Sequence, residues 1–200
     1  MADWDADSPR LVQNLVGVLR DARDAALRRE VPSLEQARAW HRDTMSGLRV
    51  PGPAFVGRFR GEAGLEAYRV RVGANKGLAP ANVGAALGMF ERTLQAAVAT
   101  LDGRDQPGRE LDADGLAAVT DVCAWAHSEW VRIHPFANGN GRTARIWVNF
   151  LLMRYGLPPV MRLRPRPNDG YSEASAAAMK GNWAPTAAFI RRLLDDPAAS

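Results

Sequence analysis

The run His134-Pro135-Phe136-Ala137-Asn138-Gly139-Asn140-Gly141-Arg142-Thr143-Ala144-Arg145 sets an imidazole, a glycine-flanked turn and two guanidinium groups within twelve residues. Imidazole accepts a proton near neutral pH without much tuning. Glycines on either side of Asn140 take left-handed backbone angles cheaply, and such a turn aims consecutive N–H groups inward as an anion nest. The turn leads into a helix N-terminus, where unpaired donors and the helix dipole also favour negative charge. Arg142 and Arg145 lie three apart on that helix and share a face. Guanidinium forks match phosphate oxygens bidentately. The chemistry that follows is anion binding at Gly139, Asn140, Gly141, Arg142 and Arg145, with His134 as a general base beside it. Phe136, apolar in a polar loop, is expected to plug into the core. His41 and His127 lie in helical patterns with no polar cluster and are expected to be structural.

The elements that must hold this run are mostly helical. Ser8-Pro9 supplies an N-cap and a first-turn proline. Leu11, Leu15, Val18, Leu19 and Ala22 then mark an amphipathic helix to about Arg29. Ser33 with Gln36 forms a capping box for a second helix to about Ser46. Pro80 opens a third, with a stripe Val83, Leu87, Phe90, Leu94, Val98 and Leu101 ending at Gly103. A polar connection over 104–109 leads to Asp112 or Asp114, which caps a fourth. Its stripe is Val119, Val122, Cys123, Ala126, Trp130 and Ile133, and Pro135 forces it to stop near His134. Residues 146–153 are apolar nearly all round, as in a central buried helix. Helical stretches at 169–180 and 184–195 close the chain, and its last few residues are expected to fray.

Residues 48–79 break this pattern. Tyr68-Arg69-Val70-Arg71-Val72 alternates strictly, which predicts a strand with one wet face inside a small β-hairpin or extended flap.

The bulk numbers fit one soluble domain over 1–200. Two hundred residues bury a real core, and 46% apolar with 24% charged residues is ordinary for a globular chain. No apolar run approaches the roughly 18 residues of a membrane span. The start, Met1 to Asp7, is acidic without an apolar core, so no secretory leader is expected. Cys123, the one cysteine, reads as a small buried hydrophobe, and a reducing cytoplasm is the expected compartment. The net charge of +4 is carried almost entirely by arginine, interleaved with acids as in Arg20-Asp21-Ala22-Arg23-Asp24. That reads as a solvated mixed-charge surface, so nucleic acid is not an expected partner.

The combination His-Pro-Phe-x-x-Gly-Asn-Gly-Arg-x-x-Arg resembles the signature of the Fic family over eight fixed positions. Helices ahead of it, a flap near 55–76, the motif loop 134–145 and the closing helices around Tyr171 to Leu194 resemble a Fic domain over most of the chain. The resemblance implies an all-α helical bundle with a small hairpin flap. It also implies a nucleotidyltransferase, most often one moving AMP from ATP to a protein hydroxyl. By motif position, His134 would deprotonate a target Tyr, Thr or Ser. Gly139, Asn140 and Gly141 would cradle the α- and β-phosphates, and Arg142 and Arg145 would hold the outer phosphates and the departing pyrophosphate. The flap, with Tyr68 to Lys76 as the candidate, would pair with an extended stretch of target. The nucleobase pocket would be built from segments distant in sequence, with the region of Tyr171 as a candidate.

Two departures qualify the resemblance. Asn138 stands where active members usually carry the Asp or Glu that binds Mg²⁺ at the phosphates. An amide oxygen lacks the charge such sites rely on. That leaves open weaker metal binding, another donor molecule, or a nucleotide- or phosphate-binding module with little turnover. A toxin using another phosphate-containing donor is a related alternative. The Doc branch usually has Asn-Lys-Arg where this chain has Asn140-Gly141-Arg142. Many relatives also carry an inhibitory helix, Ser/Thr-x-x-x-Glu-Gly/Asn, and none of the glutamates here fits it. A separate antitoxin protein supplying a glutamate to Arg145 is the expected partner beside the protein target.

Overall fold

The computed structural model describes residues 8–104, 110–168 and 170–196. The acidic start, most of the 104–109 connection, position 169 and the last four residues lie outside them. Seven α-helices, a short 3-10 turn at Pro53–Phe55 and one two-stranded sheet are the regular elements of the described residues. Helix α1 spans Pro9–Leu27, and Ser8 Oγ accepts from the Leu11 N–H as the cap. It stops two residues short of the expected end, because Arg29 turns left-handed (φ 52°) and the Glu30 N–H folds back onto the Ala25 carbonyl. Helix α2, Leu34–Met45, opens with the complete Ser33–Gln36 capping box. Helices α3 (Pro80–Arg104) and α4 (Ala113–Ile133) bury their predicted stripes, with only Val122 half-buried, and Asp112 caps α4 by accepting from the Gly115 N–H. Gly103 does not stop α3; it sits inside the last turn. Helices α6 (Tyr171–Ala178) and α7 (Ala184–Asp195) follow.

Helix α5, Asn140–Arg154, is the hub. Every residue but Gly141 is buried, and the helix packs on α4, α1 and α2. Its apolar centre meets an aromatic cluster. Trp147 lies edge-on to Trp40 (4.7 Å) and close to Phe90 and Trp130. Phe136 enters the core as expected and stacks on the His41 ring at 3.8 Å. Offset and edge contacts of this kind add to the area buried. At the far end Arg154 is buried and paired through both terminal nitrogens: it donates to the Glu30 carbonyl and to Asp102. Cys123 is fully buried, and burial holds its thiol well above the usual range.

The hairpin is smaller than the alternation suggested. Strands β1 (Arg71–Val72) and β2 (Asn75–Lys76) pair antiparallel, Arg71 with Lys76 and Val72 with Asn75, around a two-residue turn in which Gly73 is left-handed. The ladder does not extend to Tyr68, because the Tyr68 and Leu78 carbonyls accept instead from the buried guanidinium of Arg60. Among the described residues no helix is long and apolar enough to cross a membrane.

Candidate active site

All seven residues singled out by the sequence line one cavity of about 270 Å³: His134, Asn138, Gly139, Asn140, Gly141, Arg142 and Arg145. Helix α4 delivers the first and α5 the last, and the loop between them closes one end. The hairpin tip, the irregular segment after α5 and the start of α6 form the remaining walls.

His134 is the C-cap of α4 and sits in the left-handed region, φ 55° and ψ 57°. Non-glycine residues rarely adopt that conformation, and surrounding contacts must impose it. Here they are explicit. Its Nδ1–H donates to the Val131 carbonyl at 3.0 Å, which leaves Nε2 as the acceptor. Its own carbonyl accepts from Arg60 Nε at 2.7 Å. Burial first, and the Arg60 charge after it, push the imidazole down to about 4, so the neutral ring is the form present at neutral pH.

The loop is rigid by its own bonds. Asn140 Oδ1 accepts from the Phe136 N–H and its Nδ2 donates to the Phe136 carbonyl, both at 2.8 Å. The side chain of Asn140 is therefore committed to the loop, and only its main chain is available to a ligand. Asn138 Oδ1 accepts from the Gly139 N–H at 2.6 Å. Of the two glycines expected to use left-handed freedom, only Gly139 does, at φ 79°. A Cβ there would meet Met45 Cε at 2.9 Å and the His41 ring at 3.3 Å. Gly141 is already helical, so the anion-favouring donors are the first-turn N–H groups of α5 rather than a wider nest. Arg142 and Arg145 are both buried, on one face of that turn.

Three groups that support the site carried no clear signal in the sequence. His41 and His127 are buried, as expected of structural residues, but the absence of a polar cluster around them is corrected: both reach the motif. His41 Nε2–H donates to the Asn138 carbonyl at 3.1 Å while its Nδ1 accepts from the Gly57 N–H. His127 Nε2 bonds Tyr171 Oη, which also accepts from Arg145 Nη1, both at 3.0 Å. A histidine within an apolar helix face needs a partner, and that was the one available hint. Arg60 is the third. Fully buried, it donates to the carbonyls of Ile133, His134, Tyr68 and Leu78, and its main-chain N–H donates to Pro135. A cation there complements the C-terminal end of α4, although burial lowers its guanidinium to about 10.

Gly77 completes this support. A Cβ on it would lie 2.8 Å from His134 Cβ and from Val70 Cγ2, and 3.0 Å from Arg60 Nη2. Arg60 Nη2 is held by the Ile133 carbonyl and His134 Cβ moves only with its main chain, so Gly77→Ala is expected to cost about 1–3 kcal/mol, as overpacking does. Chemical denaturation checks this, and the His134 ring resonances should shift in the same variant.

The Fic/DOC family model matches residues 31–152, from the start of α2 through most of α5. The chain belongs to the Fic/DOC family. Its motif loop lies inside the matched stretch of the Fic domain, whereas Arg164, Arg166 and Tyr171 lie beyond it. The chain is 42% identical over 72 residues to a protein adenylyltransferase Fic of Nematostella vectensis, covering 36% of this chain and 17% of that protein. It is 43% identical over 84 residues to one of Drosophila persimilis, covering 41% and 16%. The matches thus span less than a fifth of those relatives' length. A Fic domain containing signaling protein from Bacteroides thetaiotaomicron superposes with a TM-score of 0.62 at 19% identity, over 94% of this chain and 68% of that one. That likeness shows the helical Fic fold.

Proposed function

We propose that this Fic domain transfers AMP from ATP to a Tyr, Thr or Ser hydroxyl of a protein target and releases pyrophosphate. The observation that carries the reading is one cavity holding both a neutral imidazole with its Nε2 unspent and the first turn of α5 with Arg142. In this reading the first-turn N–H groups hold the α- and β-phosphates. Nε2 of His134 takes the proton of the incoming hydroxyl as its oxygen bonds the α-phosphorus. The bond from that phosphorus to the bridging oxygen breaks, and pyrophosphate leaves against Arg142 and Arg145. General-base catalysis supplies about 10²–10⁴-fold. Orientation and fixed charge supply the remainder. The hairpin edge, Arg71 to Lys76, would hold an extended target segment by strand addition.

The partial matches to proteins named adenylyltransferases support this donor class. Labelled ATP added with a lysate should mark discrete protein bands, and the intact mass of a modified target should rise by AMP. Arg142→Ala should remove the label; unchanged labelling would mean the phosphates sit elsewhere.

One observation favours a second reading, a nucleotide- or phosphate-binding module with little turnover. Among the described residues no carboxylate lines the cavity, and no group of three His, Cys, Asp or Glu could hold a metal. The Mg²⁺ that the family implies is therefore poorly served here, since Asn138 offers one neutral oxygen already accepting from Gly139. Asn138→Asp separates the readings: a sharp rise in labelling would mark the native chain as a weak catalyst. We further propose that a separate antitoxin glutamate engages Arg145. It would have to compete with Tyr171 Oη and the Leu163 carbonyl, and co-purification of the two proteins tests it.

A further inference from the structure

The cavity walls are unusual in charge. Arg71, Arg142, Arg145, Arg164 and Arg166 all line the space, and none of the described residues lining it is acidic. Two of these arginines come from the irregular segment after α5, outside the sequence motif. That segment is tied to the motif helix: Arg145 Nη2 donates to the Leu163 carbonyl at 2.9 Å, one residue before Arg164. Arg166 is in turn bonded to Ser172 Oγ at 3.3 Å, near the start of α6. The two cationic walls are thus held in register across the cavity.

Such a space repels a divalent cation and attracts the most negative form of a polyphosphate. Beside water and the phosphate oxygens themselves, Mg²⁺ at such sites usually takes one or two carboxylates, and the described lining residues offer none. Guanidinium groups supply both charge and paired donors to phosphate oxygens. We propose that this chain binds its polyphosphate ligand without a divalent metal, and that Arg164 and Arg166 supply the compensating charge. This rests on the reading of the cavity as a polyphosphate seat and names the ligand species it selects, the metal-free triphosphate.

Calorimetric titration of the full chain with ATP, and separately with inorganic triphosphate, tests it in EDTA and in excess Mg²⁺. Binding in EDTA should be as tight as in Mg²⁺ or tighter. Arg164→Gln should weaken binding in EDTA by about tenfold, the usual scale for a lost charge-assisted contact. Arg166→Gln, at a more exposed position, serves should the first variant unfold. Asn138→Asp should reverse the preference, so that Mg²⁺ tightens binding. The proposal fails if Mg²⁺ tightens the unaltered chain beyond about threefold, if neither probe binds in EDTA, or if both arginine variants bind unchanged. Metal-free triphosphate binding with no labelled protein in any lysate would sink the transfer reading and leave this inference standing. Labelling with strictly Mg²⁺-dependent binding would do the reverse.

Discussion

His134→Asn is expected to slow protein labelling by about 10²–10⁴-fold, the range for removal of a general base, with ATP affinity nearly unchanged. Asparagine is the informative replacement because the position is left-handed, φ 55°. Asparagine tolerates that region better than most residues. Its amide N–H also reaches towards the Val131 carbonyl that the imidazole Nδ1–H now occupies. What disappears is the acceptor at Nε2. A fall in kcat at constant ATP affinity separates loss of the base from loss of the phosphate seat. Labelling at the original rate would remove His134 from the chemistry. With the free-enzyme imidazole near 4, kcat/KM should stay flat from pH 8 to about pH 6, and its acid limb should lie lower. Bound phosphate adds negative charge near the ring and would raise that limb in the complex.

Acid should unfold this protein steeply, before most carboxylates titrate. The chain has three histidines, and all three are buried. Burial lowers His41 and His127 to about 3 and His134 to about 4, and Arg142, Arg145 and Arg60 respectively push the same way. In the unfolded chain each returns to about 6.5. Between those limits the unfolded state binds more protons, so stability falls as pH drops below about 6.5. Each histidine costs up to about 1.4 kcal/mol per pH unit, or about 4 kcal/mol per unit together. Against a typical total of about 5–15 kcal/mol, a few units are decisive. Urea unfolding at a series of pH values from 7 to 5 should show an uptake approaching about three protons. His127→Gln should reduce that uptake by about one. Uptake below one proton in the unaltered chain would contradict the burial of these rings.

The helices were legible because their signals are local. Ser8 with Pro9, Ser33 with Gln36 and Asp112 each act within one turn, and each caps the helix expected of it. The motif was legible because its chemistry is contiguous from His134 to Arg145. Arg60 and Gly77 were not legible, since their reason for being lies at His134, far along the chain. The strand at 68–72 misled because alternation predicted a ladder, whereas the Arg60 guanidinium, buried against the end of α4, claimed the Tyr68 carbonyl. Tyr171 carries no local signal, because its bonds to His127 and Arg145 depend on three separate helices. Gly141 shows the limit within the motif itself. A glycine reads as conformational freedom, but here it is an ordinary helical residue.

The root of the hairpin is bolted to the end of α4 through Arg60, while its tip makes only two cross-strand pairs. The outer turn and the placing of the imidazole are therefore separable traits. Residues 74–75, which do not line the cavity, should accept substitutions that redirect which polypeptides are approached, without disturbing the imidazole held at the other end of the same guanidinium.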